Sequence, residues 1–373
     1  MNQPIAVLGG GHAGIATAAD LTLHGYTVNF YEVPEFAARD TSNFKPILET
    51  GKIEVIVKDN TRQANIRKVT TDIREALDDV KLILMVMSAE GHEAFFNRMI
   101  PRLQDGQVVV IEPGNFGSFR LRKLLKEKTP SRKIVIYEMS QPYYVARVAG
   151  PAKINITFSF GPEANPKDYP IRNIWTFATA ANPAKDNDVA FKELQVLCPE
   201  SFLAKNVLVP CFSNPSNFLH PITALMNAGF IEHSVEQFSL WRDGATQSVV
   251  RAEQAQSDEI DKVAQAYGVE TSRMKNKENV YNAMKEWRGP DGVFRNVYGP
   301  GKLRHRYIVE DLGCGLVPIA QLAKKAGVPA PITDGLIAIA SAALEEDFLK
   351  TGHNMEYLGL EKLSKQEIMK LVG

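Results

Sequence analysis

The chain has 373 residues, more than one hydrophobic core usually organises, so two domains are expected, each large enough to fold around its own core. Lysine plus arginine and aspartate plus glutamate both total 43, so the overall charge recommends neither nucleic acid nor an anionic membrane surface as a partner. The three cysteines, Cys198, Cys211 and Cys314, lie far apart and form no CxxC pair, which argues against a zinc site and a disulfide framework and suits a reducing compartment.

The N-terminus runs from Met1 straight into a short apolar strand without a basic leader. No apolar stretch reaches the ~20 residues a bilayer span needs. The expectation is a soluble cytoplasmic protein with no metal and no membrane partner.

Up to about residue 160, short β-branched runs alternate with helical patterns: Ile5 to Leu8, Val28 to Tyr31, Ile53 to Val57, Leu82 to Met87, Val108 to Ile111 and Ile134 to Tyr137. That alternation marks βαβ units in a parallel sheet. Leu82 to Met87 is apolar throughout, as in a central strand covered on both faces. Shorter strands at Ile154 to Phe160 and Ile174 to Ala178, separated by a Pro/Asn-rich loop, are expected to extend the same sheet. Beyond Pro210 helical stretches dominate: Ile222 to Glu232, Ser248 to Tyr267, Lys277 to Trp287, Leu316 to Ala326 and Thr333 to Phe348. The Gly/Pro-rich segment Arg288 to Gly301 is expected to be a mobile loop. The fold class is therefore a Rossmann-type doubly wound α/β domain over residues 1–205, followed by an all-α catalytic domain over 206–373.

The segment IAVLGGGHAGIATAADLTLHGYTVNFYE places Gly9, Gly11 and Gly14 in a GxGxxG spacing directly after a strand and before a helix. The first glycine permits the tight turn, the second the approach of a pyrophosphate, and the third close packing of helix on strand. With His12 and Ala13 these residues form a cofactor-binding loop. Glu32, 18 residues beyond Gly14 at the end of the second strand, can accept hydrogen bonds from ribose hydroxyls and repel a 2′-phosphate. The reading is NAD, with NADP possible because Arg39 lies nearby; the loop alone would also suit FAD. Ser88, after the fourth strand, and Pro113 and Gly114, after the fifth, sit where such a sheet presents its ligand edge; the plain alternative is ordinary loop chemistry.

In the helical half, His220 precedes Pro221, a residue favoured at the first position of a helix, so the histidine is expected to cap that helix. The positive helix end would favour the neutral imidazole, and a proton-donating role would need a carboxylate partner. Asp311, in the segment Arg304-His-Arg306-Tyr-Ile-Val-Glu310-Asp311, is the candidate. A purely structural cap is the plain alternative.

With the glycine loop, the Asn…His-Pro segment and the later Arg…Glu-Asp segment in this order, the sequence resembles the opine dehydrogenase family, of the octopine/nopaline dehydrogenase type, over nearly the whole chain. The resemblance implies that His220 is the catalytic histidine, Asp311 its carboxylate partner and Arg306 the binder of a keto-acid carboxylate. The stretch from Glu138 to Arg147 resembles the family's region between sheet and helices, which makes Tyr144 and Arg147 substrate-binding candidates. The activity implied is reductive condensation of a pyruvate-like 2-keto acid with the amino group of an amino acid, the imine taking hydride from NAD(P)H. Arg304 is a candidate for a second carboxylate, or a solvated basic turn. Tyr281, Trp287, Phe294 and Tyr298 lie near the expected substrate region or are plain core; the donor amino acid is not readable.

Two rivals remain open at this stage. One is a keto- or hydroxy-acid dehydrogenase of the ketopantoate reductase or glycerol-3-phosphate dehydrogenase type, which would lean on a central lysine. The other is a non-catalytic NADH-sensing protein, against which an intact His/Asp/Arg set argues. Helical dehydrogenase domains often pair, which leaves a homodimer as one option and fixes no oligomeric state.

Overall fold

The computed structural model describes residues 3–58, 60–159, 177–234, 238–271 and 298–373. They divide into two compact units, with the boundary in the chain between Val207 and Leu208. The expected helix Lys277 to Trp287, the aromatics Tyr281, Trp287 and Phe294, and most of the glycine/proline-rich loop lie outside the described residues. Tyr298 is described and is exposed.

The first unit contains β1 (Ile5–Leu8), β2 (Val28–Tyr31), β3 (Lys52–Val57), β4 (Asn60–Asn65), β5 (Lys68–Thr70), β6 (Leu82–Val86), β7 (Val108–Glu112), β8 (Val135–Met139), β9 (Tyr144–Gly150), β10 (Lys153–Ser159), β11 (Phe177–Ala181) and β12 (Ser201–Leu203). Eight of them form a sheet in the order β12-β11-β8-β7-β6-β1-β2-β5. It is parallel from β5 to β8, while β11 runs antiparallel to β8 and carries β12 parallel to itself. β1, β2, β6 and β7 are buried along their whole length, as strands covered on both faces are, and the two polar side chains among them, Asn29 in β2 and Glu112 at the end of β7, are buried as well. Ala6, Leu8, Ile83, Met85, Val109 and Ile111 face a core shared with α2 (His92–Met99) and α3 (Gly117–Lys128). Large side chains buried in this way contribute roughly 1.5–3 kcal/mol each, which holds the ends of β1, β6 and β7 in fixed register.

Two expectations need correction. Ile53 to Val57 and Ile154 to Phe160 do not join the main sheet; as β3 and β10 they lie in a second, four-stranded sheet ordered β4-β3-β10-β9. The physical reason is visible in β3, where Lys52 is exposed and Glu54 half-buried while Ile53 and Val55 are buried, a one-faced pattern unlike the wholly apolar central strands. β3 and β4 pair as an antiparallel hairpin, and α1 (His12–Leu23) packs against all four strands of this sheet.

The second unit is helical, with α4 (Leu208–Ser213), α5 (Ser216–Met226), α6 (Ala228–Ser234), α7 (Gln247–Ala266), α8 (Val317–Ala326) and α9 (Pro331–Ala343). α7 packs on α4, α5, α8 and α9. Its Glu259 is buried and accepts from the Ile332 and Thr333 amides, at 2.9 and 2.8 Å, so a carboxylate satisfies the positive start of α9. The helix expected over Ile222 to Glu232 is two helices parted at Asn227, whose side-chain amide donates to the carbonyls of Thr223 and Gly244. Among the described residues no helix is long and apolar enough to cross a membrane.

Candidate active site

The glycine loop joins β1 to α1 beside β6, where the strand order reverses and α/β sheets place their ligands. Gly9 has φ +116°, and a Cβ on it would overlap the Val86 carbonyl at the end of β6; a Cβ on Gly14 would overlap the Gly9 carbonyl. These two glycines close the turn. Gly11 differs: its φ of −77° and ψ of 178° suit any residue, and a Cβ there would meet nothing within 4 Å. It caps α1, whose first turn has no capping side chain and no acidic residue. His12 and Ala13 open the helix, and the amides of a first turn have no intrahelical acceptor. The space before Gly11 and this positive helix end fit the pyrophosphate of a dinucleotide.

Gly10, which the sequence reading passed over, donates its N–H to Glu32 Oε2 at 2.7 Å, and a Cβ on it would stand 2.9 Å from that oxygen and from Phe44. Glu32 Oε1 accepts from Val33 N at 2.7 Å. Burial pushes the Glu32 carboxyl above the ordinary carboxylate range, against the pull of the Gly10 and Val33 amides and of Arg39. Arg39 is exposed and its guanidinium stacks over Phe36. Glu32, expected beside the ribose, thus also holds the glycine loop.

Ser88 is half-buried just past β6 and begins a short 3-10 turn. Pro113 and Gly114 follow β7; a Cβ on Gly114 would overlap Glu138, whose carboxylate accepts from Phe116 N at 2.7 Å and Ser118 N at 3.1 Å. Glu138 therefore fixes the loop after β7. Tyr144 is buried, and its hydroxyl donates to Asp20 Oδ2 of α1 at 2.7 Å. Arg147 is exposed on β9, with Nη1 donating to the Ala146 carbonyl.

In the helical unit, His220 and Asp311, 91 residues apart, meet with Nδ1 2.7 Å from Oδ2. His220 is 7% exposed and Asp311 1%. The expected cap is corrected here: α5 begins at Ser216, so His220 lies in its second turn and Pro221 inside the helix. Pro221 has no N–H for the Asn217 carbonyl four residues earlier. Asp311 opens a π-helical turn, Asp311–Leu316, that runs into α8. Such turns recur at functional sites. The imidazole stacks on Tyr307, 4.0 Å between ring centroids, and meets the edge of Trp241 at 5.8 Å. Nδ1–H donating to the carboxylate orients the ring and sets its tautomer. Tyr307 adjoins Arg306 in sequence, but nothing local announces that it or Trp241 walls the histidine.

Arg306 Nη1 donates to Glu310 Oε2 at 2.9 Å; Glu310 is fully buried while the arginine side chain is 45% exposed. A buried carboxylate so placed directs the fork of the guanidinium. Arg304 pairs with Glu346 at 2.8 Å. Among the described residues no group of three or more histidine, cysteine, aspartate or glutamate side chains could hold a metal ion.

A sheet whose order reverses at a glycine loop, followed by a helical unit, is the architecture of nicotinamide dinucleotide-dependent dehydrogenases that carry a separate helical domain. Residues 203–344 match the family described as NAD/NADP octopine/nopaline dehydrogenase, alpha-helical domain, and residues 4–153 the NAD-dependent glycerol-3-phosphate dehydrogenase N-terminus. The opine dehydrogenase of Arthrobacter sp. (strain 1C) is 26% identical, covering 100% of this chain and 99% of its own. In fold, the chain is similar to an octopine dehydrogenase solved with NADH and L-arginine, with a TM-score of 0.73, 20% identity and 99% and 98% of the two chains covered. It is also similar to a yersinopine dehydrogenase solved with NADP+, with a TM-score of 0.66, 15% identity and 99% and 97% covered. The helical unit thus matches the octopine/nopaline dehydrogenase domain, and over its whole length the chain is similar to an opine dehydrogenase.

Proposed function

We propose that the protein reversibly condenses a pyruvate-like 2-keto acid with the amino group of an amino acid and reduces the product to a secondary amine dicarboxylate. The observation that carries this reading is the buried His220–Asp311 pair at 2.7 Å, in a helical unit whose residues match the octopine/nopaline dehydrogenase domain. Gly9, Gly11, His12, Ala13 and Gly14 would hold the cofactor's pyrophosphate, Glu32 its adenosine ribose, and Ser88, Pro113 and Gly114 the nicotinamide end. The cofactor is NADH, with NADPH also admitted, and it supplies the hydride. The domain division at residues 205 and 206, a cytoplasmic location suited to three free, buried cysteines, and pairing of two copies belong to the same reading.

The residues act as follows. The amine adds to the keto carbon, and loss of the hydroxyl as water needs a proton, which His220 Nε2 donates while Asp311 steadies the imidazolium. The resulting iminium carbon accepts the hydride, and the carbon–nitrogen double bond becomes a secondary amine. In the reverse direction Nε2 accepts the proton as general base. The Arg306 fork binds the keto-acid carboxylate in two places, which fixes the plane of the reacting group. Tyr144 and Arg147 remain candidates for the second substrate.

The test is NADH and NADPH oxidation by the purified protein with pyruvate, with and without a pool of amino acids. Oxidation requiring both supports the reading. Oxidation with pyruvate alone, unaffected by amines, moves the protein to the hydroxy-acid dehydrogenases and sinks it.

A further inference from the structure

One buried polar group near His220 has no part in the chemistry above. Asn217 is 1% exposed, and neither its Oδ1 nor its Nδ2 has a hydrogen-bond partner among the described residues. It sits three residues before His220 on α5, and the two lie against the same π-helical turn. His220 bonds Asp311 at the start of that turn, and Asn217 abuts Gly315 near its end, where a Cβ would overlap the amide. Residues three apart share a helix face, so Asn217 and His220 form two successive rungs of one contact between α5 and the turn. Burying an amide with donor and acceptor both unused costs free energy. An apolar residue of similar size would remove that cost, so an amide kept here points to a partner beyond the described residues.

We infer that Asn217 binds the iminium of the condensed substrate and so makes the site select imine over free keto acid. This rests on the imine-reducing reading. A primary amide sets one donor and one acceptor side by side in a plane. The condensed substrate offers the complement: a carboxylate oxygen that accepts from Nδ2–H, and next to it an iminium N–H that donates to Oδ1. The free keto acid presents acceptors at both places, so Oδ1 would face the ketone oxygen with no proton between them. A site built for a donor rejects the analogue that lacks it. Hydride therefore reaches the iminium carbon, giving the secondary amine, in preference to the ketone carbon, which would give a hydroxy acid.

The experiment compares wild-type protein with Asn217→Leu and Asn217→Asp, measuring NADH oxidation with pyruvate plus amino acid and with pyruvate alone, alongside NADH affinity by fluorescence and thermal melting. Leucine removes both polar atoms at similar size, and aspartate removes only the donor. Both variants should lose at least tenfold in amine-dependent turnover, the ratio of pyruvate-only to amine-dependent oxidation should rise at least tenfold, and NADH affinity should change no more than about twofold. Equal falls in both activities, or no fall in either, overturn the inference and leave Asn217 a packing residue. Should Asn217→Leu fail to fold, Asn217→Ser carries the same comparison. A wild-type protein without amine-dependent turnover overturns the imine-reducing reading itself and this inference with it, an outcome visible before any variant is made.

Discussion

The two units present chemistry in opposite ways. In the α/β unit the ligand edge is made of backbone: Gly9 and Gly14 are glycines because the Val86 and Gly9 carbonyls occupy the places of their Cβ atoms, while at Gly11 no protein atom stands within 4 Å of where a Cβ would be. In the helical unit the candidate chemistry is made of side chains, His220, Asp311, Arg306 and Asn217, carried on a helix with an internal proline, a π-helical turn and the segment before it. A backbone site fails when atoms are added, and a side-chain site fails when they are removed. Variants at the two places should therefore leave different signatures.

The largest effect is expected at His220. His220→Ala should lower kcat by about a thousandfold, within the range of general acid–base catalysis, while NADH affinity moves less than about twofold; fluorescence titration beside turnover checks both, and retained turnover would remove the proton-transfer role. Next come the glycines, where addition is the test. Gly14→Ala should weaken NADH binding by tenfold or more and also lower the melting temperature by about 5 °C, since its Cβ collides with the loop. Gly11→Ala should weaken NADH binding by about tenfold with an unchanged melting temperature, because no protein atom stands in the way. Equal melting losses in the two variants would blur the distinction drawn between these glycines.

A smaller effect is expected at Arg306. Lysine keeps the charge but not the fork, so Arg306→Lys should raise KM for the keto acid about tenfold, or ~1.4 kcal/mol, with kcat little altered. A change confined to the amino-acid KM would reassign the arginine to the other substrate.

The smallest effect concerns stability in the α/β unit. Burial pushes the Glu112 carboxyl at the end of β7 from 4.5 up to about 8, against a weaker pull from the Tyr143 backbone. The folded chain keeps a proton that the unfolded chain releases, so this contribution is complete below about pH 4.5 and is lost as pH rises through about 8. Glu112→Gln stays neutral throughout and should melt a few degrees higher than the wild type at pH 8.5, with little difference at pH 4.5. Parallel melting curves at both pH values would show that Glu112 does not titrate in this window.

The glycine loop and the central strands were legible because local rules govern them: an apolar run in a doubly covered strand and a turn of fixed spacing need no distant partner to be recognised. β3 and β10 were misassigned because a half-exposed strand carries the same β-branched residues as a central one, and only the alternation of Lys52, Ile53, Glu54 and Val55 separates them. Pro221 was read as a helix start because that is where proline costs least; the tertiary contact on the π-helical turn sustains the helix through it.

The sequence by itself determined the class of protein, the order of its domains and the identity of the polar residues available, because spacing and residue type survive without coordinates. The tertiary structure alone decided which of those residues meet. His220 and Asp311 are brought together across 91 residues by the packing of α5 on the π-helical turn, Gly10 is tied to Glu32 by the pairing of β1 with β2, and Asn217 lies buried against Gly315. None of these contacts has a local signal, since each exists only once apolar packing fixes two distant segments at hydrogen-bonding distance or closer.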